Sequence, residues 1–153
     1  AASLQAATRA RPNGFDQVLW LDAVHKKFVE EVGTMNVFFV FNDEVVTPPL
    51  SGTILAGGMR ECALEILRGM GRKISERPLA VDEIEARYKK GELKEVFGTG
   101  TAAVISRVGE LVLGSNAMKF ELNPSDISQQ LFNEIVGIQY GTKHDSRNWL
   151  LKL

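Results

Sequence analysis

Glu31 and Thr34 are the side chains best placed to do chemistry, because they stand at the start of a strongly apolar run. They belong to the segment Glu31-Val32-Gly33-Thr34-Met35-Asn36, which Val37-Phe38-Phe39-Val40-Phe41 follows. Such a run is typical of a buried strand. A carboxylate beside a buried strand needs a partner, because an unpaired charge is costly to remove from water. Acids near strands are usually solvated, so contact with a cofactor or substrate is indicated only in combination with other features.

A second candidate is the segment Gly57-Gly58-Met59-Arg60, where a glycine loop enters a predicted helix. The first N–H groups of a helix have no partner inside the helix, and the helix dipole is positive at this end. A phosphate group fits such a place. Glycine before a helix is also common in loops without function, so this segment alone leaves both interpretations open.

The segment Gly98-Thr99-Gly100-Thr101-Ala102-Ala103 matches the permissive dinucleotide-binding pattern G-x-G-x-x-A. That fingerprint requires a strand, a tight turn and then a helix. The residues that follow, Val104 and Ile105, are β-branched, and Gly109 comes soon after, which argues against a helix. We therefore expect a strand-loop-strand turn over 98–102, in which small residues let a ligand approach the backbone closely.

Other kinds of site are poorly supported. Thr99, Thr101 and Ser106 have no histidine at a spacing typical of nucleophilic catalysis. Cys62 is the single cysteine, so it can form no internal disulfide and has no second thiolate with which to bind a metal. We interpret it as a packing residue.

Length, charge and hydropathy indicate one domain. The chain has 153 residues, of which 44% are hydrophobic, and a net charge of -1 with both signs interspersed. No basic stripe favours a nucleic acid. No apolar run approaches the roughly 18 residues of a membrane span, and the first residues lack a signal-peptide core. An intracellular protein is expected.

The order of predicted elements indicates an α+β fold with a mixed, largely antiparallel sheet. Each helix should bury one face. For the last helix, the segment Asn123-Pro124-Ser125-Asp126 predicts an N-terminal cap followed by a proline in the first turn. The predicted helices cover residues 1–9, 59–70, 81–91 and 123 onward, and the predicted strands cover 17–22, 29–32, 37–41, 45–47, 73–77, 95–97 and 103–106. Expected core residues are Trp20, Trp149, Phe38, Phe39, Phe41, Ala63, Ile66, Leu67, Met70, Ile127, Leu131, Ile135 and Ile138.

Five blocks of the sequence carry a further signal through their order and spacing. They are Phe15-Asp16-Gln17-Val18-Leu19-Trp20-Leu21, residues 31–36, Thr47-Pro48-Pro49-Leu50-Ser51-Gly52, Ser75-Glu76-Arg77 and residues 97–103. Together they resemble the large domain of the branched-chain amino-acid aminotransferases, fold-type IV enzymes that use pyridoxal 5′-phosphate (PLP). The similarity extends over nearly the whole chain, and it implies a barrel-like large domain with packed helices.

The resemblance also implies roles for single residues in binding PLP. It assigns Glu31 to the pyridine nitrogen, which the acid keeps protonated. Leu55 would lie against the cofactor ring. The amides of Gly58 and Met59 would bind the phosphate, with help from the hydroxyl of Thr101.

For the substrate, the resemblance implies that the amides of Thr101 and Ala102 receive the carboxylate, with Thr34 close by. The parent enzyme would transfer an amino group between leucine, isoleucine or valine and 2-oxoglutarate. It would act as a homodimer in the cytoplasm, or in a mitochondrial or plastid matrix if a transit peptide was removed. A D-amino-acid aminotransferase or aminodeoxychorismate lyase of the same fold type is one alternative, and a catalytically dead binding or assembly module is another.

The sequence departs from the family pattern in two places. The family has a β-branched residue and a threonine where this chain has Gly58 and Met59, so a hydroxyl is missing from the phosphate loop. The family's Schiff-base lysine belongs to a segment that precedes Ala1, and the small N-terminal domain lies further upstream. Lys26 and Lys27 match no catalytic position. We therefore expect residues 1–153 to be an incomplete, PLP-binding large domain that is inactive alone.

Overall fold

The computed structural model describes the backbone of residues 2–151 and the side chains of residues 5–151. Four α-helices in this range are α1 (Ala2–Ala10), α2 (Gly58–Gly69), α3 (Val81–Lys89) and α4 (Ile127–Gln139), and a short 3-10 helix covers Arg11–Asn13. The strands in the same range are β1 (Leu19–Leu21), β2 (Val29–Val32), β3 (Met35–Phe41), β4 (Val45–Thr47), β5 (Ile74–Glu76), β6 (Leu93–Gly100), β7 (Val104–Arg107), β8 (Glu110–Leu113) and β9 (Asn116–Lys119).

The centre of the main sheet is β3, the most apolar strand of the chain. One edge of β3 pairs with β6 over its length, from Asn36 opposite Thr99 to Phe41 opposite Leu93. The other edge is shared, because β2 pairs with the start of β3 and β4 pairs with Phe39 and Val40. β1 extends the sheet beyond β2, and β7 extends it beyond β6. The predicted α+β class with a largely antiparallel sheet is confirmed.

One pair of strands makes the sheet mixed. β4 and β5 are parallel, with Val46 opposite Ser75. Parallel neighbours need a crossover connection, and α2 provides it. The first turn of α2 lies near the carboxyl end of β4, because Arg60 donates a hydrogen bond to the carbonyl of Pro48 (3.1 Å).

Two apolar layers cover the two faces of the sheet. Phe38, Val40 and Phe97 pack with α2 and α4 on one face. On the other face, Val37, Phe39 and Val96 pack against Ile84 of α3 and residues of the β8–β9 hairpin. The predicted apolar faces of α2 and α4 are buried except for Met70, which is 36% exposed because it lies after the last residue of α2. Trp20 and Trp149 are half-buried.

The segment 98–102 is a correction to the sequence prediction. β6 continues through Gly100, and only residues 101–103 form the turn. Glycine suits this part of the strand because the side chain of Met35 lies over it. A Cβ added to Gly98 would be 3.0 Å from that side chain, and a Cβ added to Gly100 would be 2.9 Å from it. The expected strand-loop-strand order is correct, but the loop is shorter.

The N-terminal cap of α4 is also different from the predicted one. The helix begins at Ile127, after Pro124, and Asp126 makes no capping hydrogen bond to it with its side chain. The cap comes instead from Glu95 on β6, whose carboxylate accepts hydrogen bonds from the amides of Ile127 (2.8 Å) and Ser128 (2.9 Å). Asp126 bonds the amide of Asn123 (2.8 Å) and pairs with Arg107.

The β8–β9 hairpin was not predicted, although its turn is Gly114-Ser115, a two-residue pair with hairpin character. The helix predicted over 1–9 is found as α1, with Ala1 outside the described residues. None of the helices within residues 2–151 is long and apolar enough to cross a membrane.

Candidate active site

Glu31, Asn36 and Thr99 form a row across three neighbouring strands. Glu31 on β2 pairs with Asn36 on β3, which pairs with Thr99 on β6. Directly paired residues point to the same face of a sheet, and this face is the one that carries α2 and α4. The acid that the sequence singled out therefore lies on the same side of the sheet as the predicted phosphate-binding helix.

A loop of residues 48–57, here called the site loop, connects β4 to α2 and lies against this row. Thr53 donates a hydrogen bond from Oγ1 to Glu30 (2.7 Å), and the amide of Leu55 donates to Oε1 of Glu31 (3.2 Å). Asn36 donates from Nδ2 to the carbonyl of Leu55 (2.8 Å). These contacts bring Leu55 beside Glu31, while its side chain stays 72% exposed and free to meet a ligand.

The beginning of the site loop is held by Arg60, which is 2% exposed. Its guanidinium donates to the carbonyl of Pro48 (3.1 Å) and to Glu76 (2.8 Å). Because Arg60 belongs to the first turn of α2, this contact fixes the start of the helix relative to both ends of the crossover.

The N-terminus of α2 has unused hydrogen-bond donors. Gly57 is the N-cap residue, and among the described side chains there is no capping hydrogen bond to the helix. The turn and loop hydrogen bonds described for residues 2–151 include none donated by the amides of Gly58 or Met59. Gly58 is exposed, and a Cβ there would meet no atom within 4 Å. An anion can therefore reach these amides, as expected for a phosphate site.

Thr34, Thr101 and Ala102 lie at a second part of the site. Thr34 immediately precedes β3 and Thr101 immediately follows β6, so the pairing of Asn36 with Thr99 brings both to one edge of the sheet. All three residues are exposed. In the described chain, the turn and loop hydrogen bonds include none from the amides of Thr101 or Ala102.

The turn that presents Thr34 is held by β1. Trp20 donates from Nε1 to the carbonyl of Gly33 (2.8 Å), and the Gly33 amide donates to the carbonyl of Val18 (2.8 Å). Gly33 has a φ of 59°, and the side chain of Gln17 fills the place of a Cβ. These supporting residues were missed as site residues, although the block 15–21 drew attention to this segment.

Two buried polar atoms near the site have no hydrogen-bond partner among the described residues, namely Arg60 Nε and Thr99 Oγ1. The hydrogen bonds described for Glu31 engage Oε1 and leave Oε2 available to a ligand. Leu55 is three residues before Gly58, so the acid's contact and the free amides are at most about 11 Å apart along the backbone. A carboxylate, free amides and an exposed hydroxyl fit a ring with a basic nitrogen and a phosphate.

Across the described residues, no group of three or more His, Cys, Asp or Glu side chains could hold a metal.

The structure also contains a cavity of about 910 Å³ that none of the sequence-predicted site residues lines. Val32, Met35 and Val96 line it, so it lies on the face of the sheet opposite to α2 and α4. Its size alone does not make it the chemical site, because the acid and the free amides point to the other face.

Comparison with known proteins agrees with this geometry. The profile of the family described as Amino-transferase class IV matches residues 1–111. The chain is 49% identical to branched-chain-amino-acid transaminase 1 of Bacillus subtilis (strain 168), over 100% of this chain and 43% of the relative. It thus spans less than half the length of that protein.

Solved structures share the fold. Branched-chain aminotransferase from Thermoproteus uzoniensis with norvaline superposes with a TM-score of 0.79 and 29% identity, over 97% of this chain and 46% of that one. The enzyme from Thermobaculum terrenum in its PLP form gives a TM-score of 0.79 and 29% identity, over 97% of this chain and 45% of that one. The chain belongs to the class IV aminotransferase family and has the fold of its fold-type IV, branched-chain members.

Proposed function

We propose that this chain is the PLP-binding part of an aminotransferase that exchanges an amino group between branched-chain amino acids and 2-oxoglutarate. Family membership supports the reaction class, and the 49% identical Bacillus subtilis relative, named a branched-chain-amino-acid transaminase, supports the substrates. Because the chain spans 43% of that relative, the activity is proposed for the whole protein that contains it.

The observation that carries the proposal is the link between Glu31 and the start of α2. The Leu55 amide bonds Glu31 (3.2 Å), and the chain reaches the free amides of Gly58 and Met59 three and four residues later. Such a pair of sites suits a ligand that is basic at one end and anionic at the other.

Each residue then has a role that its chemistry allows. Glu31 would keep a proton at the ring nitrogen, the amides of Gly58 and Met59 would bind the phosphate, and the exposed side chain of Leu55 would contact the ring. When bound, PLP supplies a ring that withdraws electrons from the substrate. The hydroxyl of Thr101 adds a further donor for the phosphate.

The edge formed by Thr34, Thr101 and Ala102 is proposed to bind the substrate carboxylate. An amino acid and a 2-oxo acid both carry a carboxylate next to the reacting carbon, so one pair of backbone amides can orient both substrates. The small side chain of Ala102 lets the substrate approach the backbone.

The test is Glu31→Gln in the full-length enzyme that contains this chain. The amide keeps the size of the side chain but cannot balance a positive ring nitrogen. We expect PLP to remain bound while the transamination rate for leucine falls about 10²-fold or more. The control is Glu121→Gln, at an exposed acid, with near-normal rates.

Near-normal turnover in the Glu31→Gln enzyme would contradict the role of the acid. A substrate panel of leucine, D-alanine and aminodeoxychorismate on the unmodified enzyme tests the rest of the proposal. Leucine should be the preferred substrate, and a preference for either of the other compounds would replace the proposed substrate class.

A further inference from the structure

Asn36 lies between the two parts of the proposed cofactor site. It is the second residue of β3, lies directly between Glu31 and Thr99 in the sheet, and is 5% exposed. Burying a carboxamide costs free energy unless its groups are paired. The partners of Asn36 therefore show what its side chain holds in place.

The nitrogen of the Asn36 side chain holds the peptide group of Leu55. Nδ2 donates to the carbonyl of Leu55 (2.8 Å), while the amide of Leu55 donates to Glu31 (3.2 Å). Two neighbouring strands thus hold one residue of the site loop from both sides. The amide of Gly57 also donates to the Leu55 carbonyl (2.9 Å), so the hold extends to the N-cap of α2.

The oxygen of the same side chain explains why residue 57 is glycine. A Cβ on Gly57 would lie well inside van der Waals contact with Oδ1 of Asn36. The backbone of Gly57 has φ −72° and ψ 134°, which any residue can adopt. Glycine is required here for space and not for backbone conformation.

We propose that Asn36 is a positioning residue that fixes the distance between Glu31 and the first amides of α2. Its nitrogen draws the site loop toward β3, and its oxygen sets how closely the N-cap can approach. This inference rests on the proposed function. Asn36 would set the spacing between the acid that binds the ring nitrogen of PLP and the amides that bind its phosphate.

A positioning role and a purely structural role predict different measurements. Pyridoxal lacks the phosphate, so the ratio of its Kd to that of PLP reports how well the α2 amides are placed relative to the rest of the site. A general loss of folding weakens both ligands together and leaves the ratio unchanged. Misplacement of α2 lowers the ratio.

The experiment measures both Kd values by absorbance titration, with urea unfolding in parallel, in the full-length protein that contains this chain. In Asn36→Ala, the ratio of Kd for pyridoxal to Kd for PLP should fall about tenfold, because the hydrogen bond that places the loop is lost. Asn36→Asp keeps the size of the side chain but turns an oxygen toward the Leu55 carbonyl, and it should lower the ratio similarly.

Gly57→Ala tests the oxygen from the opposite side. Its new Cβ should push α2 away from β3 and lower the ratio, whereas Gly52→Ala, in the same loop with nothing within 4 Å of the new Cβ, should not. In the Asn36→Ala background the same Gly57→Ala change should have little further effect, because the space is then free. Such non-additivity is expected only for groups in contact.

An unchanged ratio in Asn36→Asp and Gly57→Ala, with only a lower urea midpoint, would overturn the positioning role and leave the proposed function standing. Additive effects of the two alanine substitutions would overturn the contact. If the unmodified protein binds neither ligand, the proposed function fails first, and this inference fails with it. Should Asn36→Ala fail to fold, the aspartate and Gly57 variants decide the outcome.

Discussion

Ala102 and Thr101 offer backbone amides at the point where β6 ends and the chain turns toward β7. Their side chains are exposed, and the next residue after the turn, Val104, has a φ of 58°. A β-branched residue rarely adopts this conformation, which costs of order 1–3 kcal/mol. The surrounding structure therefore imposes the shape of this turn.

Ala102→Pro removes one of these amide donors. In the full-length enzyme, the KM values for leucine and for 2-oxoglutarate should both rise about tenfold, because one hydrogen bond to the shared carboxylate is lost. Steady-state kinetics with each substrate varied in turn measures this. Ala102→Ser retains the amide and should lie much closer to the unmodified enzyme. If only one substrate is affected, the turn is not the common carboxylate site.

At this scale the sequence identified the residues that carry chemistry better than those that support them. Glu31 and Gly58 stood out because a charge beside an apolar run and glycine before a helix are local patterns. Asn36 did not stand out, since its partners Leu55 and Gly57 are 19 and 21 residues away and the contact exists only after folding. Trp20 is likewise indicated by the sequence only as a core residue, because its hydrogen bond to the carbonyl of Gly33 forms only after folding.

Among the elements, α4 shows that a helix can be capped from a distant strand. Glu95 is 9% exposed and accepts hydrogen bonds from the first amides of α4 and from the hydroxyl of Ser128 (2.6 Å). The contact ties α4 to β6, the strand that pairs with β3 at the centre of the sheet.

Glu95→Gln should destabilise the protein by about 1–3 kcal/mol, because the amide replaces one acceptor oxygen with a donor facing N–H groups. Thermal unfolding should show a Tm lower by about 2–4 °C for each kcal/mol. Glu110→Gln changes an exposed acid on β8 and serves as the matched control. Equal Tm values for the two variants would show that Glu95 does not cap the helix to any useful extent.

Glu44, in the turn between β3 and β4, makes a second set of contacts between secondary-structure elements. Burial raises the pKa of this acid, but hydrogen bonds from Ser75 and Arg77 outweigh burial and lower the pKa to about 2. Arg87 adds a further pair (3.0 Å). The carboxylate links β4, β5 and α3.

A folded-state pKa below the ordinary value means that Glu44 stabilises the fold above about pH 4.5 and that this contribution disappears as the pH falls toward about 2. We therefore expect Glu44→Gln to lower the free energy of unfolding at pH 7 by about 1–3 kcal/mol. The difference from the unmodified protein should shrink as the pH falls from 4.5 to 2. Urea unfolding at a series of pH values checks this, and a constant difference over that range would contradict it.

Elements with strong local patterns were predicted well, and elements that depend on neighbours were not. β2 and β4 agree with the predicted ranges because their apolar residues are bounded by turn residues. β6 extends past its prediction because the glycines at 98 and 100 are accommodated under Met35, a tertiary contact. The parallel pairing of β4 with β5 depends on the path of α2, which no local pattern contains.

For the whole molecule, the lysines nearest the proposed site in sequence are badly placed to react with PLP. Lys26 and Lys27 are exposed and lie in the loop before β2, whereas Glu31 lies near its end, about 13 Å further along the strand from Lys27. Asp22 holds this loop through the amides of Phe28 and Lys27, which lower its pKa to about 2.

We therefore expect residues 1–153 alone, incubated with PLP and reduced with borohydride, to give no single lysine modified stoichiometrically. Transamination of leucine by this chain should not be measurable. Peptide mapping by mass spectrometry and a coupled assay provide the two readouts, and the full-length enzyme serves as the positive control. A saturable adduct on one lysine together with turnover would show that the chain contains its own catalytic amine.

The shared edge of β3 has a consequence for how the molecule opens. β2 and β4 both pair with β3 but not with each other, so each can separate while β3 and β6 stay together. In native-state hydrogen exchange, the amides of β3 and β6 should be the slowest, and β1–β2 and β4–β5 should open more readily, coupled through the site loop and through the backbone hydrogen bonds of residues 27–29 with residues 79–81. A ligand held by Glu31 on one branch and by the start of α2 on the other would join them. Exchange in the two branches should then slow together, because the ligand strengthens a connection that the site loop already makes.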